Sequence, residues 1–248
     1  MMFILRWQVL IGCLLIITST ILYLIHYLIF HESQQIFFYL MLDIAFIPIQ
    51  VLVVTLIINE LLSIREKRSR LQKMNMIVGA FFTEIGTELL TYLSDCDPKI
   101  DSIRGQLLIS GKWTEQEFRQ VGKKLKEYNY LIDIERVDLK ALRNILDESR
   151  EFILRLLENQ NLLEHEQFTN LLWAVLHLIE ELAARRELVT LPPADLAHLK
   201  GDTERVYNNL GLQWIEYMQN LKNKYPYLFS LAMRTNPFDE KASVVIKD

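Results

Sequence analysis

Four side chains in the second half of the sequence are of the types that bind metal ions. His177 is followed four residues later by Glu181, and Asp195 is followed three residues later by His198. Residues spaced three or four apart share one face of a helix, and helical bundles build metal sites from carboxylates and imidazoles on facing helices. The pattern indicates a candidate metal site of a metal-dependent enzyme. The competing interpretation is an ordinary histidine beside an apolar stripe, with solvated acids around it.

The short motifs that carry other common chemistries do not occur in the sequence. It contains no GxGxxG, GxxxxGK[ST], GxSxG or HExxH, so neither a standard phosphate-binding loop nor a zinc-protease helix is indicated. The two cysteines, Cys13 and Cys96, form no CxxC pair and stand in segments of different polarity. We therefore predict no catalytic residue, no cofactor and no structural disulfide.

The chain begins with a nearly uncharged segment, which precedes the part that contains these candidate residues. Residues 1–64 carry Arg6 and three acids, whereas the remainder of the 248 residues is rich in charge. Two apolar runs, at about 8–30 and 36–60, each supply the roughly 20 residues that a membrane-crossing helix needs. A signal peptide would have a shorter apolar core. Only residues 31–35 separate the runs, so we expect an antiparallel transmembrane hairpin over 1–64.

A basic cluster directly after the second apolar run predicts the orientation of the hairpin. The cluster contains Arg65, Lys67, Arg68, Arg70 and Lys73, whereas residues 31–35 contain no Lys or Arg. Positive flanks stay on the cytoplasmic side, so both termini are expected in the cytoplasm of a two-pass plasma-membrane protein. The alternative role of this cluster is binding of anionic lipid headgroups.

Three polar residues fall inside the expected spans. They are His26 near the outer end of the first span, and Asp43 and Gln50 in the second. A carboxylate is costly in hydrocarbon, so it should face protein or water. One interpretation is an ion path or an oligomer seam. The other is a hydrogen bond within the hairpin or contact with the headgroups.

The rest of the chain has the helical period of apolar residues and no alternating strand pattern. Thr114 and Glu117 form a capping-box pattern. We predict an all-α protein, with a cytoplasmic helical bundle over residues 65–240 and a flexible tail over 241–248. The predicted helices are 59–93, 99–109, 115–128, 136–159, 164–188, 194–224 and 227–234.

Two segments resemble a known kind of protein. Residues 73–86, KMNMIVGAFFTEIG, and residues 225–238, YPYLFSLAMRTNPF, resemble parts of uncharacterised prokaryotic two-pass membrane proteins with a helical cytoplasmic domain. The resemblance implies that architecture and no activity. Within the first segment, Gly79 and Gly86 are seven residues apart, which predicts close approach of another helix.

These patterns leave three functional hypotheses. The preferred one is a membrane-anchored helical interaction module, meaning a scaffold, sensor or regulatory subunit that binds itself or a cytoplasmic protein. The alternatives are a homo-oligomeric channel lined by the second span and a metal-dependent enzyme in the bundle. The formal net charge of −4 gives no global support for nucleic-acid binding. The expected partners are the lipid bilayer and either another copy of the chain or a cytoplasmic protein.

Overall fold

Every regular element that the structure describes is helical. The computed structural model describes residues 2–31, 33–159, 162 and 165–245, and within these ranges it contains helices and turns but no strand. The predicted all-α class is confirmed. By its contacts the chain divides into two compact units, Met1–Lys67 and Arg68–Asp248. Of the predicted 31–35 connection, Glu32 lies outside the described residues.

The first unit contains one long apolar helix and most of a second. Helix α1 covers Met2–Phe30, and α2 begins at Ser33 and ends at Phe81, with Pro48 inside it. Both are long and apolar enough to cross a membrane, judged by length and composition. After α1 the chain turns at His31, which has a left-handed φ of 51° and donates its amide N–H to Tyr27 O at 2.9 Å. This is the single-bond type of helix C-terminus, in which one left-handed residue ends the helix.

In the second unit the chain passes from the end of α2 through a π-helical turn, Phe82–Gly86, into α3, Thr87–Asp95. A Cβ atom added at Gly86 would lie 2.7 Å from Phe81 Cε1 and 2.8 Å from Phe82 Cδ1. This glycine makes room for two aromatic rings of its own segment, and the expected approach of another helix to Gly86 stays a prediction. At Gly79 a Cβ would lie 3.8 Å from Cε2 of Tyr217, which belongs to another helix.

The remaining helices follow the predicted order. They are α4 Asp101–Arg104, α5 Glu115–Glu127, α6 Leu139–Leu157, α7 Glu166–Ala184, α8 Pro193–Lys224 and α9 Pro226–Arg234. The predicted helix 99–109 is wrong in length. After α4 the chain leaves the helix because Leu107 and Ile109 are buried in the core, and Leu107 O accepts a hydrogen bond from Asn236 Nδ2 at 2.8 Å.

Helix α8 lies at the centre of the second unit, where it packs against α3, α5, α7 and α9, and α7 also packs against α6. Trp214 and Tyr207 of α8 are almost completely buried. The capping box is present: Glu117 N donates to Thr114 Oγ1 at 3.3 Å, and Thr114 N donates to Glu117 Oε2 at 2.5 Å.

The end of the chain contacts α9 as far as the structure describes it. Arg234 Nη1 donates to Val244 O at 2.5 Å, and Ser243 N donates to Arg234 O at 2.9 Å. The predicted flexibility of the tail stays a prediction. Its last residues, 246–248, lie outside the described residues.

Candidate metal centre

The facing surfaces of α7 and α8 each present a histidine and a carboxylate four residues apart. These are His177 and Glu181 on α7, and His198 and Asp202 on α8. His177 Nε2 lies 3.4 Å from Asp202 Oδ2, and His198 Nε2 lies 3.3 Å from the same oxygen. Glu181 completes the group, with Oε2 at 3.4 Å from His198 Nε2 and Oε1 at 3.9 Å from His177 Nε2. Two imidazoles from different helices thus converge on one carboxylate oxygen.

Asp202 is the unusual member of this cluster because it is buried. Its relative exposure is 3%, and its Oδ1 accepts a hydrogen bond from Arg205 Nη1 at 2.7 Å. Its Oδ2 accepts no hydrogen bond from any described residue. A buried carboxylate oxygen without a hydrogen bond is costly, and such a group in a native fold calls for an explanation, of which a bound ion is one.

Arg185 fixes the outer side of the cluster. Its Nη1 donates to Glu181 Oε2 at 2.7 Å, and it forms two parallel bonds with Asp195, Nε to Oδ2 at 2.9 Å and Nη2 to Oδ1 at 2.5 Å. These hydrogen bonds lower the pKa of both carboxyl groups, and the two carboxylates in turn raise the pKa of Arg185. Glu181 is therefore held as an anion beside the two imidazoles.

The spacing of the donor atoms suits a small tetrahedral ion. Zinc binds imidazole nitrogen and carboxylate oxygen at about 2.0–2.1 Å, which puts neighbouring ligand atoms of a tetrahedron roughly 3.3 Å apart. The distances from Asp202 Oδ2 to the two imidazole nitrogens, 3.4 and 3.3 Å, agree with this spacing. Two imidazole nitrogens and a carboxylate oxygen suit a divalent transition metal such as Zn²⁺, Co²⁺ or Fe²⁺. His177, His198 and Asp202, whose ligand atoms all lie within 4.8 Å of one another, would be the ligands, with Glu181 beside them.

Three of the four residues proposed from the sequence thus come together, and the fourth does not join them. His177, Glu181 and His198 lie in the cluster, whereas both carboxylate oxygens of Asp195 bond to Arg185. Sequence reasoning missed Asp202. Two features of the sequence could have indicated Asp202. It is a carboxylate at a position on the mostly apolar, buried face of α8, and it follows His198 by four residues, the same spacing as between His177 and Glu181.

The other predicted candidates lie in the first two helices. His26 is half-buried and lines a cavity of about 360 Å³ together with Tyr23 and Tyr39. Asp43 and Gln50 are exposed on α2. The basic cluster is exposed on the same helix and consists of Arg65, Lys67, Arg68, Arg70 and Lys73. None of these candidate residues belongs to the cluster formed by His177, Glu181, His198 and Asp202 in the described part of the chain.

The two helical parts of the chain each match a family model. Residues 70–234 match the C-terminal helical domain of the uncharacterized protein MJ1433, and residues 3–62 match the N-terminal helical domain of MJ1433. The uncharacterized protein MJ1433 of Methanocaldococcus jannaschii is 46% identical over 243 residues, which cover 98% of each chain. The chain belongs to the MJ1433 family. No solved structure matches it.

Residues 73–86 and 225–238 resemble parts of uncharacterised prokaryotic proteins. The family assignment agrees with this resemblance in so far as the chain has helical domains and is related to an uncharacterized protein of an archaeon. The division into an N-terminal and a C-terminal MJ1433 domain falls close to the boundary between the two compact units, at Lys67 and Arg68. The whole candidate metal centre lies in the MJ1433 C-terminal domain.

Proposed function

We propose that this protein is a two-pass membrane protein whose helical domain binds a divalent transition-metal ion between α7 and α8. The observation that carries the proposal is the buried Oδ2 of Asp202, which accepts no hydrogen bond from any described residue and lies within 3.4 Å of two imidazole nitrogens. A metal ion at that point would satisfy the carboxylate and both imidazoles together.

Two arginines support the proposed ligands from outside. Arg205 holds Oδ1 of Asp202, which leaves Oδ2 directed at the histidines. Arg185 donates to Oε2 of Glu181, and Oε1 of Glu181 lies 3.9 Å from His177 Nε2. Residues that orient the ligands in this way are characteristic of metal sites. Both histidines are about half exposed, at 45% and 52% of their side chains, so a bound ion would be reachable from solvent and open to a further ligand.

Metal binding is tested on the purified full-length protein in detergent. We expect about one Zn²⁺ or Co²⁺ per chain, with a Co²⁺ absorption spectrum of tetrahedral type. Asp202→Asn and His177→Ala should each abolish high-affinity binding. The matched control is His165→Asn, because His165 caps Phe168 N at the start of α7 and asparagine retains a capping oxygen. Equal metal binding by Asp202→Asn and by the unaltered protein would overturn the proposal.

The membrane part of the proposal rests on the surfaces of α1 and α2. Most of the large apolar side chains described between Leu10 and Ile64 are exposed. An exposed surface that is apolar on all sides of a helix is stable in lipid and not in water. By the positive-inside rule, the basic cluster at residues 65–73 supports a cytoplasmic location of both termini. In whole cells, Gln35→Cys should react with an impermeant maleimide and Lys241→Cys should not, and the reverse pattern would overturn this orientation.

A second candidate function is the interaction module, and one observation favours it. The second unit carries a groove of about 910 Å³ between the π-helical turn and α9, and its walls include Phe82, Leu228 and Leu231. Leu228 and Leu231 are each 41% exposed. A groove of this kind suits an apolar segment of a protein partner. If another copy of the chain occupies it, Leu231→Asp should lower the particle mass measured by light scattering, with Val244→Asp as the second variant in the same groove.

The third functional hypothesis is a homo-oligomeric channel. It is supported by Asp43 and Gln50, which are exposed on a helix with an apolar surface. A carboxylate at such a position needs protein or water around it. A detergent-corrected mass of four or more chains, together with ion flux in liposomes that Asp43→Asn alters, would favour this function. A monomer or dimer would argue against a pore built from several subunits.

A further inference from the structure

A pocket adjoins the candidate metal centre along the surface between α7 and α8. Its volume is about 420 Å³, and it is lined by Asn170, Trp173, Ala174, His177, Arg205 and Asn209. A volume of this size lies within the range of pockets that hold small molecules. The pocket and the metal centre share His177, so one ligand is able to reach both.

Helical spacing explains why the two sites are neighbours. On α7, Trp173 lies one turn before His177, and on α8, Arg205 lies one turn after Asp202. Four residues of helix correspond to about 6 Å. Trp173 therefore lies about one turn from the proposed ligand His177, a distance that a single phosphorylated molecule spans.

The residues around the pocket offer three kinds of recognition. Trp173 is 57% exposed, which is a large exposed area for an indole, a side chain on which a planar group can stack. Arg205 uses Nη1 on Asp202, and its side chain is 58% exposed, so further N–H groups remain available to an anion. Asn170 and Asn209 add amide donors and acceptors beside the ring.

We propose that this pocket binds a nucleoside phosphate, with the phosphate on the metal ion and Arg205 and the base stacked on Trp173. The assignment rests on the proposed metal-binding function. Phosphate oxygens are ligands for both a divalent ion and a guanidinium group. A planar base matches an exposed indole, and the asparagine amides match the polar edge of a base. The bound metal would supply positive charge for the phosphate, because each carboxylate at the centre already has a cationic partner.

The test uses the full-length protein in detergent, loaded with Zn²⁺, and measures binding by calorimetry. The probes are adenosine 5′-monophosphate, adenosine and inorganic phosphate. We expect the nucleotide to bind more tightly than adenosine or phosphate alone. Trp173→Ala should weaken nucleotide binding by roughly 5- to 100-fold, and Arg205→Gln by about 10-fold or more. Trp173→Phe, which keeps a ring, should retain most of the affinity, and Arg119→Gln on α5 is the remote control.

Metal content separates this inference from the function on which it rests. Trp173→Ala should bind Co²⁺ with an unchanged spectrum, because Trp173 is not among the ligands. If the unaltered protein binds no metal, the proposed function fails. If it binds metal but no nucleotide, or if the nucleotide binds equally well to Trp173→Ala and Arg205→Gln, only the nucleoside-phosphate assignment is overturned. Equal affinity for adenosine and the monophosphate would also overturn it, since the phosphate would then contribute nothing.

Discussion

Arg185 holds Asp195 through two parallel hydrogen bonds, of 2.9 Å from Nε to Oδ2 and 2.5 Å from Nη2 to Oδ1. The same guanidinium donates from Nη1 to Glu181 Oε2 at 2.7 Å. One arginine after the end of α7 therefore links that helix to the start of α8. Asp195 therefore has a structural role as the partner of Arg185, whereas Glu181 and Asp202 face His177 and His198.

This arrangement predicts the pH dependence of an Arg185→Gln variant. The pKa values of Glu181 and Asp195 are lowered in the folded protein, first of all by hydrogen bonds from Arg185. Stabilisation by a carboxyl group with a lowered pKa is present above its unfolded pKa, about 4, and is lost as pH falls through the folded value. Arg185→Gln should therefore lower the melting temperature at pH 7 and have a smaller effect near pH 3. Thermal unfolding by circular dichroism measures this, with Arg119→Gln as the control, and an effect of equal size at both pH values would contradict it.

The two glycines of α8 predict opposite effects of the same substitution. A Cβ atom at Gly211 would lie 2.5 Å from Tyr130 Oη and 2.7 Å from Tyr130 Cε1, whereas, apart from its own helix backbone and chain neighbours, no described residue lies within 4 Å of one at Gly201. Gly211→Ala should destabilise the fold by about 1–3 kcal/mol, because a rigid ring has to move. Gly201→Ala should stabilise it by about 0.5–1 kcal/mol, since alanine is the better helix former. Melting temperatures of the two variants give the comparison, and equal shifts would mean that Tyr130 does not pack against Gly211.

Two tyrosines near Asp97, of which Tyr128 is half-buried and Tyr130 is buried, give a similar contrast. Tyr128 Oη donates to Asp97 Oδ2 at 2.7 Å, whereas Tyr130 Oη is buried without a hydrogen bond to any described residue. Tyr128→Phe removes a bond to a buried carboxylate and should cost about 1–3 kcal/mol. Tyr130→Phe removes an unsatisfied hydroxyl and should leave stability unchanged or higher. Thermal unfolding of both variants decides the matter, and a larger loss for Tyr130→Phe would contradict it.

The features that were predicted from the sequence are those that depend on residues close together in the chain. The apolar period located α6, α7 and α8, and the Thr114–Glu117 pattern located the start of α5, because caps and periodicity act over a few residues. The pairing of Asp195 with Arg185 and the convergence of Asp202 on His177 depend on the register between α7 and α8. That register follows from the packing of the whole bundle. The same reason explains α4, which is short because Leu107 and Ile109 are buried, a consequence of tertiary packing that local propensity does not contain.

Buried tyrosines predict a loss of stability in base. Burial is the main cause that raises the pKa of Tyr92 to about 12 and also raises the pKa values of Tyr128, Tyr130 and Tyr217. The neutral phenol is favoured in the folded state, so its contribution is fully present below the unfolded pKa of about 10 and is lost as pH rises above it. Between those values the unfolded chain binds fewer protons than the folded one, and the free energy of unfolding falls with pH. Absorbance at the tyrosinate band and circular dichroism should therefore change together well above pH 10, with Tyr130→Phe shifting the transition upward. Normal titration of these four phenols near pH 10 with the helices intact would show that they are accessible to water.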